Sequence, residues 1–298
     1  MSQTYDRVIT RLNNLKAIEP LLGALRTISM GTWQMAQNNL NRLGQFEGQF
    51  TQLLFEVIPA IDSKIIKQRP SPPEGLEPID AFVIVIGSER GLCGKFNESL
   101  AENALSWISE QAYQSYQFGA MGSRMIQTLQ KMDIQLDWQK SFPTGDLASY
   151  SKSFFLTKEW IDQFEMFRFN NLIVLSNSLT HEGQYAFSDL KLLPYDPNSS
   201  ETLNLKGTTN WPPPIIETDP KGIYQQIIRS YIASTFYKVL LRSAIAENSS
   251  RYLLMEEAKQ NAQEIIEELN REVNNERKRQ ITQEMQELAV GAGLIDNK

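Results

Sequence analysis

Residues 81–97, AFVIVIGSERGLCGKFN, decide the fold. Ala81–Gly87 is a continuous apolar run, far too short to span a bilayer and rich in β-branched residues. That pattern marks a strand buried on both faces. A glycine-bearing turn follows, and helical character sets in from Asn97 to Gln111. Strand, turn and helix in that order open an α/β sheet. Toward the C-terminus the alternation continues. Tyr116–Ala120 reads as a strand, Ser123–Met132 as a helix, Ile134–Trp138 as a strand and Ala148–Phe167 as a helix. Leu172–Ser176 is a second buried strand, and Gln184–Leu193 closes the series as an antiparallel edge. The expected body, residues 81–193, is a Rossmann-like α/β domain with a mostly parallel sheet and helices on both faces.

Beyond this body the period changes in both directions. Residues 61–80 include the Pro-rich linker RPSPPEGLEPID, and residues 194–220 carry six prolines. Outside the linkers lie two long amphipathic segments, 1–60 and 221–298. In the first, apolar residues recur at Val8, Leu12, Leu15, Ile18, Leu22, Leu25 and Ile28. They resume at Trp33, Ala36, Leu40, Leu43, Phe46, Phe50, Leu53 and Val57. Steps of three and four give a coiled-coil period. Pro20 lies inside it and predicts a bend or a break, because proline lacks the N–H and clashes with the preceding turn. The second segment carries Tyr224, Ile227, Tyr231, Thr235, Val239 and Arg242, then Leu254, Ala258, Ala262, Ile265, Leu269 and Val273. The fold class predicted is α/β: a long antiparallel coiled coil of N- and C-terminal helices around a Rossmann-like domain. Leu40–Val57 should meet Ile227–Ala246, since both adjoin the domain.

Composition excludes several functions. A net charge of −6 gives no general attraction to nucleic acid. The single cysteine, Cys93, permits no internal disulfide, and the single histidine, His181, permits no His/Cys metal cluster. The opening MSQTYDRV has no apolar leader core. A P-loop needs four residues between its glycines, then Lys and a hydroxyl residue. Here six residues separate Gly87 from Gly94, two separate Gly91 from Gly94, and Phe96 follows Lys95. Nucleotide binding is not expected there; a structural strand–helix turn is. Cys93 at a helix start reads as a small buried thiol rather than a nucleophile, and His181 as a surface loop residue. No catalytic residue, metal or cofactor is expected. Two features have a plain reading and a partner reading. The basic cluster Asn275–Arg279 is either a solvated helix face or a match for an acidic partner surface. The small apolar stretch Leu288–Ile295 is either a frayed terminus or a tip inserted among other subunits.

These residues together resemble the gamma subunits of F-type ATP synthases. Ile281-Thr282-Gln283-Glu284, Glu287 and Gly291-Ala292 follow that family's closing pattern, preceded by Arg251, Met255, Ala258, Asn261 and Ala262 at its spacing. Ser88–Asn97 matches its S-D-R-G-L-C-G-x-F-N motif, and Trp211, Glu217 and Asp219 fit its W…E-P-D segment. The resemblance implies a non-catalytic central stalk, turning inside an α3β3 catalytic ring whose β subunits carry the active sites. It would couple ion flow through the membrane ring to ATP synthesis. Its partners would be that ring, the epsilon subunit and the membrane c-ring. It would lie peripherally at the cytoplasmic face of an energy-transducing membrane. Arg277, Lys278, Thr282 and Glu284 would contact β, Glu217 and Asp219 would belong to the foot on the membrane ring, and Arg90, Gly91, Cys93, Gly94 and Asn97 would form a structural motif. The chain departs from the family in the stretch Ala17–Gln37, where Pro20, Gly23, Thr32, Gln34 and Met35 replace a usually basic run. Lys278 and Arg279 replace Gln and Ala. An alternative is a gamma-like paralogue that docks on a partner without transmitting torque.

Overall fold

The computed structural model describes residues 3–57, 71–141, 147–180, 184–195, 217 and 219–291. The elements in chain order are α1 (Gln3–Val57), β1 (Ile79–Ile86), α2 (Phe96–Glu110), β2 (Tyr116–Met121) and α3 (Ser123–Lys131). There follow β3 (Trp138–Lys140), α4 (Tyr150–Glu165), β4 (Phe169–Leu179), β5 (Tyr185–Leu193) and α5 (Pro220–Gly291). The chain forms two compact units: residues 30–251, and residues 1–29 with 252–298.

In the first unit the strands form one sheet in the order β3-β2-β1-β4-β5. All pairs are parallel except β4–β5. Successive β1 side chains enter opposite cores, which is why the strand reads as unbroken apolar sequence. Ala81, Val83 and Val85 pack with Leu100, Ala104, Met125 and Leu129 of α2 and α3. Phe82, Ile84 and Ile86 pack with Leu156 and Trp160 of α4 and with Ile232, Phe236 and Leu240 of α5. The C-terminal helix thus supplies part of the cover of the sheet. The Trp160 and Phe236 rings meet edge-on with centroids 4.9 Å apart.

One strand differs from the sequence reading. Ile134–Trp138 was the expected range, but β3 begins only at Trp138. The Asp137 carboxylate accepts the Phe118 N–H at 2.8 Å, and the Asp137 N–H donates to the Phe118 carbonyl at 2.9 Å. This side-chain link takes the place of a ladder rung, so pairing starts at Gly119↔Trp138. Ile134 and Leu136 are apolar because they tuck against the α2/α3 core.

The same unit pairs the two long helices. Ala36 and Leu43 pack with Tyr237, Leu241 and Ile245, and Leu54 and Val57 with Ile227. Lys238 Nζ lies 2.8 Å from Glu47 Oε2. Partners fall in number along α5 as they rise along α1, so the pairing is antiparallel, as expected for Leu40–Val57 against Ile227–Ala246. Arg242, placed on the apolar stripe from sequence, is exposed.

In the second unit Val8 and Leu12 bury against Leu269, with Leu15, Ile265, Ile266 and Val273 around them. Glu19 accepts from Gln263 at 3.0 Å and lies 3.9 Å from Lys259, and Arg26 pairs with Glu256. The order is again antiparallel. Here the observed seam keeps Val8, Leu12, Leu15 and Leu22 of the predicted one and departs from it at the other three positions. It runs through Val8, Leu12, Leu15, Glu19, Leu22, Arg26 and Ser29, in strict steps of four and three. Ile18 and Ile28, placed on it from sequence, are exposed. The register is kept by polar contacts at Glu19 and Arg26, which an apolarity count passes over. Nor does Pro20 break α1, which is continuous from Gln3 to Val57.

Candidate functional site

The turn after β1 is built from its own side chains outward. The Ser88 N–H donates to Asn97 Oδ1 at 2.9 Å, and Asn97 Nδ2 donates to Ser88 Oγ at 2.7 Å. This closes the loop across the start of α2. Gly94 sits at φ +59°, which glycine adopts without strain. A side chain at Gly87 would come within 2.6 Å of both Asn97 Oδ1 and Met125 Cβ. Cys93 is buried against Phe96 and Ala246. Burial pushes its thiol up, only partly opposed by the Ser88 hydrogen bond and the nearby Arg251 charge. A thiol kept protonated is a poor nucleophile.

Arg251 holds this turn from α5. Its Nε donates to the Gly91 carbonyl at 3.1 Å and its Nη2 to the Arg90 carbonyl at 3.1 Å. Nη2 also donates to Glu247 Oε1 at 2.6 Å, and Nη1 to Asn248 Oδ1 at 2.9 Å. Ser250 Oγ adds a bond to the Cys93 carbonyl at 3.3 Å. Burial pushes the Glu247 carboxyl up, against the pull of Arg251 in the other direction. The two motifs at 88–97 and 251 onward are therefore parts of one clamp. A cleft of about 90 Å³ lies beside it, lined by Gly87, Glu89, Arg90, Ala148, Ser243 and Glu247 among others. Nucleotide-sized pockets run to roughly 300 Å³ and more. Glu89 is spent on the first turn of α3, where it accepts from the Ser123 N–H at 3.0 Å and from its hydroxyl. Among the described residues no group of three His, Cys, Asp or Glu stands together as a metal site.

The residues expected to meet partners lie on the surface. Arg277, Lys278, Thr282 and Glu284 are all exposed on α5. Arg279 pairs with Glu276 at 3.0 Å, and Thr282 Oγ1 donates to the Lys278 carbonyl at 2.9 Å. Every residue from Ile281 to Leu288 is exposed, beyond the last α5 positions packed on α1. Glu217 and Asp219 are exposed before α5. Asp219 also caps the helix, accepting from the Lys221 and Gly222 N–H groups at 3.1 Å each, with Pro220 at the first helical position. Asp followed by Pro is a pattern in the sequence that marks such a cap. His181, Trp211 and residues 292–298 lie outside the described residues. No described helix is long and apolar enough to cross a membrane.

An α/β body clamped to a pair of long helices, with its charge on helix surfaces rather than in a reaction pocket, defines a stalk-type subunit. The family model described as ATP synthase matches residues 4–293. The ATP synthase gamma chain of Rubrobacter xylanophilus is 25% identical over 285 residues, covering 96% of each chain. That of Leptospira biflexa is 26% identical over 302 residues, covering 98% of this chain and 99% of the relative. Among solved structures, a chain of the Tetrahymena thermophila mitochondrial ATP synthase central stalk and c-ring superposes with a TM-score of 0.57 at 17% identity. It covers 80% of this chain and 99% of that one. A chain of the Euglena gracilis mitochondrial ATP synthase rotor gives 0.58 at 10% identity, covering 93% and 99%. The chain belongs to the gamma-chain family of ATP synthases, the non-catalytic subunits of the central stalk.

Proposed function

We propose that the chain works as the rotating central stalk of an F-type ATP synthase. Its paired helices stand inside an α3β3 ring and transmit rotation between a membrane c-ring and the three catalytic sites on β. The α/β body, with Glu217 and Asp219 at the start of α5, forms the foot toward the c-ring and the epsilon subunit. Association with the membrane is peripheral and runs through these partners, on the cytoplasmic side. The observation that carries this reading is the free end of α5. Among the described residues Ile281–Leu288 is exposed helix with no partner helix packed on it, and Arg277 and Lys278 stand exposed just before it. Such an end needs a sleeve supplied by other chains. The family match over residues 4–293 supports the same assignment.

The test is reconstitution with α and β subunits. The chain should co-purify with an α3β3 ring and restore ATP hydrolysis. The double variant Arg277→Ala with Lys278→Ala should leave the free chain's stability within about 1 kcal/mol of the parent, since exposed charges contribute that little to folding. On the ring the same cations face carboxylates with water excluded, where losing one costs about 2–5 kcal/mol. Ring affinity and hydrolysis should therefore fall, most at low salt. Unchanged affinity and activity at both low and high salt would reduce the cluster to a solvated face.

A second reading is a gamma-like paralogue that docks without transmitting torque. One observation favours it: between Ala17 and Gln37 the only cation is Arg26, and it is paired inside the chain.

A further inference from the structure

In the unit of residues 30–251 the seam of α1 on α5 runs through Ala36, Leu40, Leu43, Glu47, Phe50, Leu54 and Val57, in strict steps of four and three. Its middle position is charged. Glu47 Oε2 lies 2.8 Å from Lys238 Nζ, with 15% and 22% of the two side chains exposed. Gly44 and Gly48 flank that carboxylate, and no residue from Gly44 to Gln49 is buried. Neither glycine is demanded by packing. A Cβ at either position would meet no atom within 4 Å, and neither backbone has a positive φ. Each weakens the helix about fourfold against alanine. The facing stretch of α5 has no such gap. From Ile232 to Leu241 every residue except Thr235 and Lys238 is buried. That stretch is held by the sheet core as well as by α1. Between Gly222 and Gly291 α5 contains no glycine.

We propose that Gly44–Gln49 is a yielding joint in α1, a stretch that opens locally while α5 stays helical on the sheet. The Glu47–Lys238 ion pair holds it closed. The inference does not depend on the central-stalk reading. A helix segment opens by itself where little buried apolar surface and few good helix formers hold it shut. Both conditions fall on this stretch, between the anchors at Leu43 and Leu54. A charged seam position that served register alone would need no glycines around it. The outer helix can therefore give way at one place without loosening the grip of the sheet on α5.

The test is hydrogen exchange of the full free chain, followed along a urea series below the unfolding transition. Amides from Gly44 to Gln49 should exchange faster than those around Leu40 and Leu54 and those of Ile232–Leu241. Their openings should be insensitive to low urea, as local openings expose little surface. Gly44→Ala with Gly48→Ala should slow exchange in this stretch about tenfold or more. Gly44→Ala alone, at the more exposed of the two positions, should slow it about fourfold and guards against repacking at Gly48. Glu47→Gln should speed it. Equal protection along α1 overturns the proposal. So does a urea slope at Gly44–Gln49 equal to that of Ile232–Leu241, since both results mean one cooperative opening. Alanine variants that exchange like the parent in this stretch overturn it as well. Exchange unmoved by Glu47→Gln overturns the ion pair as the closing contact.

Discussion

Arg251 carries four hydrogen bonds over two carbonyls, one carboxylate and one amide, with little of its side chain in contact with water. Arg251→Met keeps the stem and removes the charge. It leaves Glu247 buried without its counter-ion, a change that costs about 3–5 kcal/mol. Urea denaturation of the free chain should show that loss, and a change below about 1 kcal/mol would mean the clamp is slack. Glu247 also gives a signed pH effect. Its carboxyl is raised in the fold, so it binds a proton more tightly folded than unfolded. The stability it contributes is fully present below the ordinary carboxylate value and is lost as pH rises through the raised one. Glu247→Gln should flatten stability across that window; an unaltered pH profile would show that another group governs it. The residues of this clamp were legible as two family motifs. Their union was not, because 160 positions separate Arg251 from Gly91 and no local pattern links an arginine to a distant carbonyl.

Elements were most legible where one physical signal dominated. The two-faced burial of β1 forced an unbroken apolar run, and the alternation around it fixed the order of strands and helices. The reading failed where a side chain did the work of backbone, as Asp137 does for β3, and where register was held by polar pairs, as at Glu19 and Arg26. A break at Pro20 was overestimated for a related reason. A missing N–H at Pro20 is tolerated when both flanking stretches of α1 are anchored on α5, so tertiary packing outweighs a local cost of about 3 kcal/mol. That cost is still stored in the helix. Pro20→Ala, at an exposed position, should raise the urea midpoint of the free chain, by a shift that corresponds to a gain in unfolding free energy approaching that figure. An unchanged midpoint would mean the helix has relaxed around the proline.

At the scale of the molecule, the exposed end of α5 and the folded parts are separable. Leu288 and Val290 are exposed apolar side chains near the end of α5. Deleting residues 288–298 should leave the melting temperature of the free chain nearly unchanged while weakening coupling in the reconstituted ring. A drop of several degrees would show that this end packs within the chain. The helix–body–helix layout was visible from the two stripes flanking one α/β pattern. That the body borrows α5 for its own cover was not, because a helix stripe does not say whether it faces a helix or a sheet. This double employment has a mechanical result. Between Ile232 and Ile245, α5 is gripped along two lines. Phe236 and Leu240 enter the sheet core, while Tyr237 and Leu241, about 100° further round, meet α1. A rod held along one line can roll in its groove. Held along two, it cannot roll without prising both open. A twisting moment delivered to this stretch therefore passes into the β-sheet without slip, as through a keyed shaft.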